Sequence, residues 1–264
     1  MRVGRLLSML GALSLCVMTF ATDAAAVTQV ARWESIFKTH QANGVMVLWN
    51  EKTQLALTNN ASLAEQGYIP ASTFKIPNSL IALELGVVSD ENQVFTWDGQ
   101  TRWLAQWNQD LAFRTAMKYS AVPIYQQIAR EVGAKRMQSM VELLDYGNHK
   151  TSPAVDTFWL EGDIRISPMQ QVTFLRQLYH NQLPVSERSQ RIVKQMMLTE
   201  ANDQGVWRAK TGFSGAEQAV GWWVGWLETD DNVWFFALKL DINDDKLLPL
   251  RKTIAKEIIA SEIQ

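Results

Sequence analysis

The 264-residue sequence contains a single cysteine, Cys16, and only three histidines, His40, His149 and His180, widely spaced. One thiol excludes an internal disulfide framework and a four-cysteine zinc site. No two histidines stand in an i,i+4 pair, so an H-E-x-x-H centre is excluded and no metal is expected. Seven prolines and 14 glycines are too few for a low-complexity chain. There is no excess of charge either: 25 Lys and Arg face 27 Asp and Glu, a formal net charge of −2. Phosphate recognition rewards a basic surface, so no nucleic-acid partner is expected. Neither a G-x-x-x-x-G-K-[ST] loop nor a G-x-G-x-x-G turn occurs, which removes support for nucleotide chemistry. Gly212-Phe213-Ser214-Gly215 comes nearest to a nucleophile elbow but lacks the second spacer of G-x-S-x-G. A Ser-His-Asp triad is therefore not expected.

What is present is enough apolar material, 47% of residues, to build a full core in one large domain or two interlocked lobes. The first 26 residues have the order of an export leader: basic Arg2 and Arg5, an uncharged run from Leu6 to Ala21, then Ala24-Ala25-Ala26. Cleavage near Ala26 would remove Cys16 and leave a soluble periplasmic protein with no membrane association. No later segment is apolar enough to span a bilayer.

Amphipathic spacing predicts a helix over 29–40, and the middle of the chain reads as helices over 73–86, 120–132, 134–144, 168–180 and 186–198. Ser186 is the expected N-cap of the last of these. Gly44–Trp49 and Leu55–Thr58 read as a hairpin, and Val206–Phe213, Val220–Glu228 and Val233–Asp241 as further strands, followed by a helix over 247–262. Strands at both ends and helices between them predict an α+β fold. The expected organisation is an antiparallel sheet lobe from about 27–60 and 200–264, flanked by terminal helices, with an inserted all-helical lobe over about 61–199. A cleft between the lobes is the expected place for a site.

The chemistry points to a Ser-x-x-Lys pattern. In Ser72-Thr73-Phe74-Lys75 a hydroxyl and an amine fall on one face of a helix, within one turn. A lysine can activate a serine once desolvation lowers its pKa. The spacing alone decides little, because Ser35-Ile36-Phe37-Lys38 repeats it, there with Ile36 and Phe37 packing and Ser35 and Lys38 facing water. Context separates the two. Ile69-Pro70-Ala71 is a rigid approach that can open a helix at Ser72, whose first-turn amides are free for an anion. Pro77 takes the usual hydrogen-bond donor away from the Thr73 carbonyl. Further on come Ser120, at the head of a helix, and Lys210-Thr211-Gly212, where a strand puts a cation beside a glycine that leaves room for substrate. Taken singly, Ser120 reads equally as an N-cap and Lys210 as a solvated strand residue.

In this order the elements resemble the class D β-lactamases, the oxacillinase type of penicillin-recognising serine enzymes. The resemblance covers essentially all of residues 27–264. It is carried by PASTFKIPNSLIAL (70–83), FTWDGQTR (95–102), YSAVP (119–123), YGN (146–148), FWLEG (158–162), RISPMQQVTFL (165–175), RAKTGF (208–213) and GWWVGW (221–226). WDGQTR, MKYS and SERSQRIVKQ-MLTEA look closest to the branch that includes carbapenem-hydrolysing oxacillinases. The resemblance implies that Ser72 attacks the lactam carbonyl, that Lys75 carries a carbamate made with CO2 (N6-carboxylysine) as general base, and that Ser120 relays a proton to the lactam nitrogen. It further implies that Trp159 donates to the carbamate and Val122 keeps the pocket dry. Lys210, Thr211 and Arg251 would bind the substrate carboxylate, and the amides of Ser72 and Phe213 would form the oxyanion hole. Apolar surface from Phe74, Val122 and Trp159 would favour the neutral amine that adds CO2.

No diffusible cofactor is implied, and a homodimer is one assembly the family makes plausible. Two departures bear on substrate range. The segment 214–220 lacks the arginine common in the carbapenem-active branch, and Phe213 stands where tyrosine is frequent. Good turnover of penicillins and weaker turnover of carbapenems are therefore expected. Two other readings share the Ser-x-x-Lys and Lys-Thr-Gly elements: a penicillin-binding transpeptidase or carboxypeptidase, and a non-hydrolysing β-lactam sensor.

Overall fold

The computed structural model describes residues 27–215 and 219–263; the expected leader, 1–26, and positions 216–218 of the 214–220 loop lie outside the described residues. The strands are β1 (Val27–Gln29), β2 (Gly44–Asn50), β3 (Leu55–Thr58), β4 (Val94–Phe95), β5 (Leu111–Ala112), β6 (Leu198–Asn202), β7 (Gly205–Ser214), β8 (Val220–Glu228) and β9 (Val233–Asp241). The helices are α1 (Trp33–Thr39), α2 (Ala61–Glu65), α3 (Lys75–Glu84), α4 (Phe113–Lys118), α5 (Val122–Val132), α6 (Ala134–Leu143), α7 (Phe158–Glu161), α8 (Pro168–Tyr179), α9 (Glu187–Met196) and α10 (Leu250–Glu262).

Seven strands form one sheet in the order β1-β3-β2-β9-β8-β7-β6. Strands from the two ends of the chain meet where β2 pairs with β9, from Gly44 opposite Leu240 to Asn50 opposite Trp234. Alternation along the strands divides the core. Met46, Leu48, Trp207, Trp223 and Leu238 pack on one face with Trp33 and Phe37 of α1 and Ile254 and Ile258 of α10. Val45, Val47, Trp222, Val224 and Ala237 face the helical lobe. Covered on both sides, β8 is buried from Val220 to Leu227, which is why its sequence is apolar throughout rather than alternating.

The α+β class and the strands of the second half follow the sequence reading, and Ser186 caps α9 by accepting from the Ser189 N–H. Four details differ. The helix expected over 29–40 begins only at Trp33, because Val27–Gln29 pairs in parallel with β3 and makes the sheet mixed rather than purely antiparallel. The helical lobe also carries a two-stranded ribbon, β4 with β5, so it is not all-helical. The helix expected from residue 73 starts as a 3-10 turn, Ala71–Phe74, before α3. The helix expected from 120 begins at Val122 and leaves Ser120 outside it.

Candidate active site

The segment leading to Ser72 is fixed from every side. Tyr68 exchanges backbone bonds with Ile166, and the Trp222 indole donates to the Ile69 carbonyl at 2.8 Å. The Pro70 carbonyl accepts from Thr73 twice, from its N–H at 3.1 Å and its hydroxyl at 2.7 Å. These contacts hold Ala71 at φ 49°, left-handed backbone that an alanine adopts at a cost of about 1–2 kcal/mol. The sharp turn delivers Ser72 to the start of the 3-10 turn. N–H groups at the end of that turn bond to the Ser72 and Thr73 carbonyls, so Thr73 recovers in 3-10 geometry the partner that Pro77 denies it.

Lys75 opens α3 completely buried, and its Nζ donates to Ser72 Oγ at 3.0 Å. Desolvation, followed by repulsion from Lys210, holds the amine well below the ordinary lysine range. Phe74, the residue before it, belongs to an aromatic cluster. Phe74 stacks on Trp159 at 5.5 Å and meets Phe158 and Tyr146 edge-on at 4.9 and 5.6 Å, and Nζ sits 5.1 Å from the Tyr125 ring centroid. The Trp159 Nε1–H is buried with no acceptor among the described residues. An unmet buried donor costs roughly 1–3 kcal/mol, a penalty that an acceptor placed beside it would remove; the Trp207 Nε1–H is likewise without an acceptor among the described residues.

The second half of the site comes from β7. Lys210 is buried rather than solvated, and its Nζ donates to Ser120 Oγ and to the Thr211 carbonyl, both at 2.9 Å. Burial, with Arg251 and Lys252 nearby, pushes Lys210 down to about 7. Ser120 does not cap α5; it lies between α4 and α5 at φ 55°, which turns its hydroxyl to Lys210. Gly212 eases the crossing of β7 over the 3-10 turn: a Cβ there would sit tightly, 3.0 Å from the Pro70 carbonyl and 3.1 Å from Thr73 Cγ2. Arg251 reaches from α10 to donate to the Gly212 carbonyl at 2.6 Å, and burial pushes its guanidinium down to about 10. Gly221 leaves space for that arm, since a Cβ there would come within 2.8 Å of Arg251 Cδ.

Two hydrogen bonds thus couple Ser72 to Lys75 and Ser120 to Lys210, with Trp159 joined through Phe74 and Arg251 through Gly212. Val122 and Thr211 are half-buried beside Ser120 and Lys210, and Phe213 is exposed at the end of β7. Sequence reasoning missed the supports. Gln171 on α8 donates to Thr73 Oγ1 at 2.9 Å, Ser79 bonds the Lys75 carbonyl and Tyr125 hydroxyl, and Ser214 ties β7 to α7 through the Leu160 carbonyl. Gln171 did leave a signal, as a polar residue within the buried stripe of α8.

Among the described residues no group of three or more His, Cys, Asp or Glu could hold a metal ion, and no helix is long and apolar enough to cross a membrane. Residues 37–260 match the family model described as the penicillin-binding protein transpeptidase domain. The chain is 59% identical over 231 residues to β-lactamase OXA-48 of Klebsiella pneumoniae, covering 87% of each chain. It is 48% identical to OXA-5 of Pseudomonas aeruginosa, over 89% of this chain and 90% of that one, and 46% identical to OXA-10 of the same organism, over 90% and 91%. Of the readings that share the Ser-x-x-Lys and Lys-Thr-Gly elements, these relatives select the hydrolase. The chain belongs to the class D, oxacillinase-type β-lactamases.

Proposed function

We propose that this β-lactamase opens penicillins through an ester formed on Ser72, and that Lys75 works as its carboxylated form. The observation that carries the reading is a fully buried Lys75, its Nζ 3.0 Å from Ser72 Oγ and its amine held well below the ordinary lysine range by desolvation, together with a buried indole N–H at Trp159 that has no acceptor among the described residues. Only a neutral amine adds CO2, and the resulting carbamate would supply a general base and an anionic oxygen for that donor. The residues present fit the group. Ser72 Oγ attacks the lactam carbonyl, and its proton leaves toward position 75. The Ser72 and Phe213 amides receive the developing oxyanion. Ser120, bonded to Lys210, passes a proton to the lactam nitrogen as the ring C–N bond breaks, and Lys210, Thr211 and Arg251 hold the substrate carboxylate. Val122, half-buried at the start of α5, limits water at Lys75.

Residues 1–26 act in this reading as an export leader that delivers the enzyme to the periplasm, where hydrolysis would confer β-lactam resistance. The mature unit is then 27–264, with penicillins preferred over carbapenems. A homodimer is compatible with this organisation.

Carbon-13 NMR with labelled bicarbonate tests the mechanism. The expected result is a carbamate signal that disappears in Lys75→Ala and weakens in Trp159→Phe, with activity that falls on CO2 depletion and recovers with bicarbonate. Full turnover in CO2-free buffer without that signal would overturn it.

A further inference from the structure

We propose that the groove between the β4–β5 ribbon and α5, which starts beside Ser120 and Val122, is a saccharide-binding site specific for an uncharged sugar of one or two rings. Its volume, about 360 Å³, lies within the range of small-ligand clefts, roughly 300–1,000 Å³. The lining has two parts. Trp97 and Trp107 supply flat apolar faces, the surface that stacks on the C–H face of a pyranose. Gln100, Gln109, Gln126 and Gln127 supply planar amides, each with donors and acceptors side by side, the arrangement that pairs with neighbouring hydroxyls of a sugar.

The charges in the groove decide what kind of ligand it takes. Asp98 and Arg102 are paired by two hydrogen bonds, at 2.8 and 2.6 Å, and Arg130 is paired with Asp156 at 2.7 Å. Each ionic group that lines the groove therefore has an opposite partner, and no unbalanced field is left to attract an anion or a cation. The amides of Gln100 and Gln126, in contrast, make no hydrogen bond to another described side chain or backbone group, so their capacity is open to a ligand.

The groove is also built in advance. Trp97 is held by its backbone N–H to Asp110 and its indole N–H to the Gln100 carbonyl, and Asn108 clamps Arg102 through both backbone groups. Trp107 is fixed by donating to the Tyr119 carbonyl at 3.0 Å. Trp97 remains 37% exposed and Trp103, edge-on to Trp107 at 5.8 Å, is 84% exposed, so an aromatic rim extends outward from the groove. Trp107 also packs partly against the core, but the exposed Trp97 and Trp103 beside unused amides are poorly explained by packing, since large aromatics contribute to stability mainly where they are buried.

The test is a titration of the mature protein with N,N′-diacetylchitobiose and with cellobiose, read on the indole N–H signals by 1H–15N NMR. The expected result is saturable shifts at Trp97 and Trp107 with at least one of the two sugars, and none with inorganic phosphate. Trp97→Ala and Gln126→Ala should each weaken binding by about tenfold or more while penicillin turnover stays unchanged. Gln126→Ala puts a good helix former on a half-exposed face of α5, so it keeps the test valid if Trp97→Ala does not fold. The proposal is overturned if neither sugar produces a saturable shift up to about 50 mM, if the shifts survive Gln126→Ala, or if phosphate gives the stronger response.

Discussion

Two segments of this chain carry the same four-residue pattern, and only one is built as a site. In α1, Ser35 and Lys38 are exposed, and the Ser35 hydroxyl is spent on the Arg32 carbonyl one turn back at 2.7 Å. At the head of α3, Ser72 and Lys75 are buried and bonded to each other. The spacing is identical, so it cannot be what distinguishes the two. The difference is position in the layers: α1 lies on the outside of the sheet with Trp33, Phe37 and, in part, Ile36 turned inward, while the second tetrad is wedged between the sheet and the helical lobe. Burial lowers the Lys75 amine well below the ordinary lysine range and so favours the neutral form that the proposed mechanism needs.

Exchanging the serines should break the comparison most sharply. Ser72→Ala should abolish covalent labelling by benzylpenicillin, detected by intact mass, whereas Ser35→Ala should label as the parent does. Next in size, Lys75→Ala should lower kcat by roughly 10²–10⁴, the usual contribution of a positioned base, and leave any ester it forms slowly to persist. Lys38→Ala should leave kcat unchanged.

A smaller effect is expected where β7 presses on the turn that holds Ser72. Gly212→Ala places a methyl against Pro70 and Thr73, and overpacking of this kind costs about 1–3 kcal/mol of stability, measurable by denaturant melts. Its kcat/KM should fall, while substitutions on the outer face of α1 should alter neither quantity.

The smallest expected effect is on the pH profile. Lys75 must be neutral, so kcat/KM should fall as acid recharges it. Lys210 must be charged to hold a carboxylate, so the other limb should fall as pH rises through about 7. Lys210→Arg should move the alkaline limb upward and leave the acid limb in place; an unmoved alkaline limb would assign it to another group. Stability has its own sign. Both lysines titrate lower folded than unfolded, so the unfolded chain binds more protons between the two values. For Lys210 that window runs from about 7 to its ordinary 10.5, and stability should rise with pH across it.

The parts legible in the sequence were those that repeat a local rule. Strands β8 and β9 announced themselves by apolar, aromatic runs between turn residues, and Ser186 by its place before a polar first turn. Val27–Gln29 was misread because three residues cannot show a period, and its pairing depends on β3, which lies 29 positions further along at Ala56. Ser120 was misplaced for a related reason: serine is favoured at N-caps, and nothing local signals that a distant lysine will hold it in a left-handed turn instead. Ser72 and Lys75 could be singled out, while Gln171, Ser214 and Trp222 could not, because each acts on a backbone group or hydroxyl far away in the chain.

The bond from Trp222 to the Ile69 carbonyl joins residues 153 positions apart, and that from Lys210 to Ser120 joins residues 90 apart. Contacts with such wide separation close late, after local helices and hairpins have formed. During synthesis the tetrad at 72–75 emerges long before β7, β8 or Arg251 exists to complete its surroundings. A chain cut short before β7 would lack the burial that lowers the Lys75 amine, and Lys75 there would stay hydrated. On the mechanism and export proposed above, competence for acylation would come only once the carboxy-terminal strands have been made and folded back, so the chain would reach its final compartment before it can be acylated.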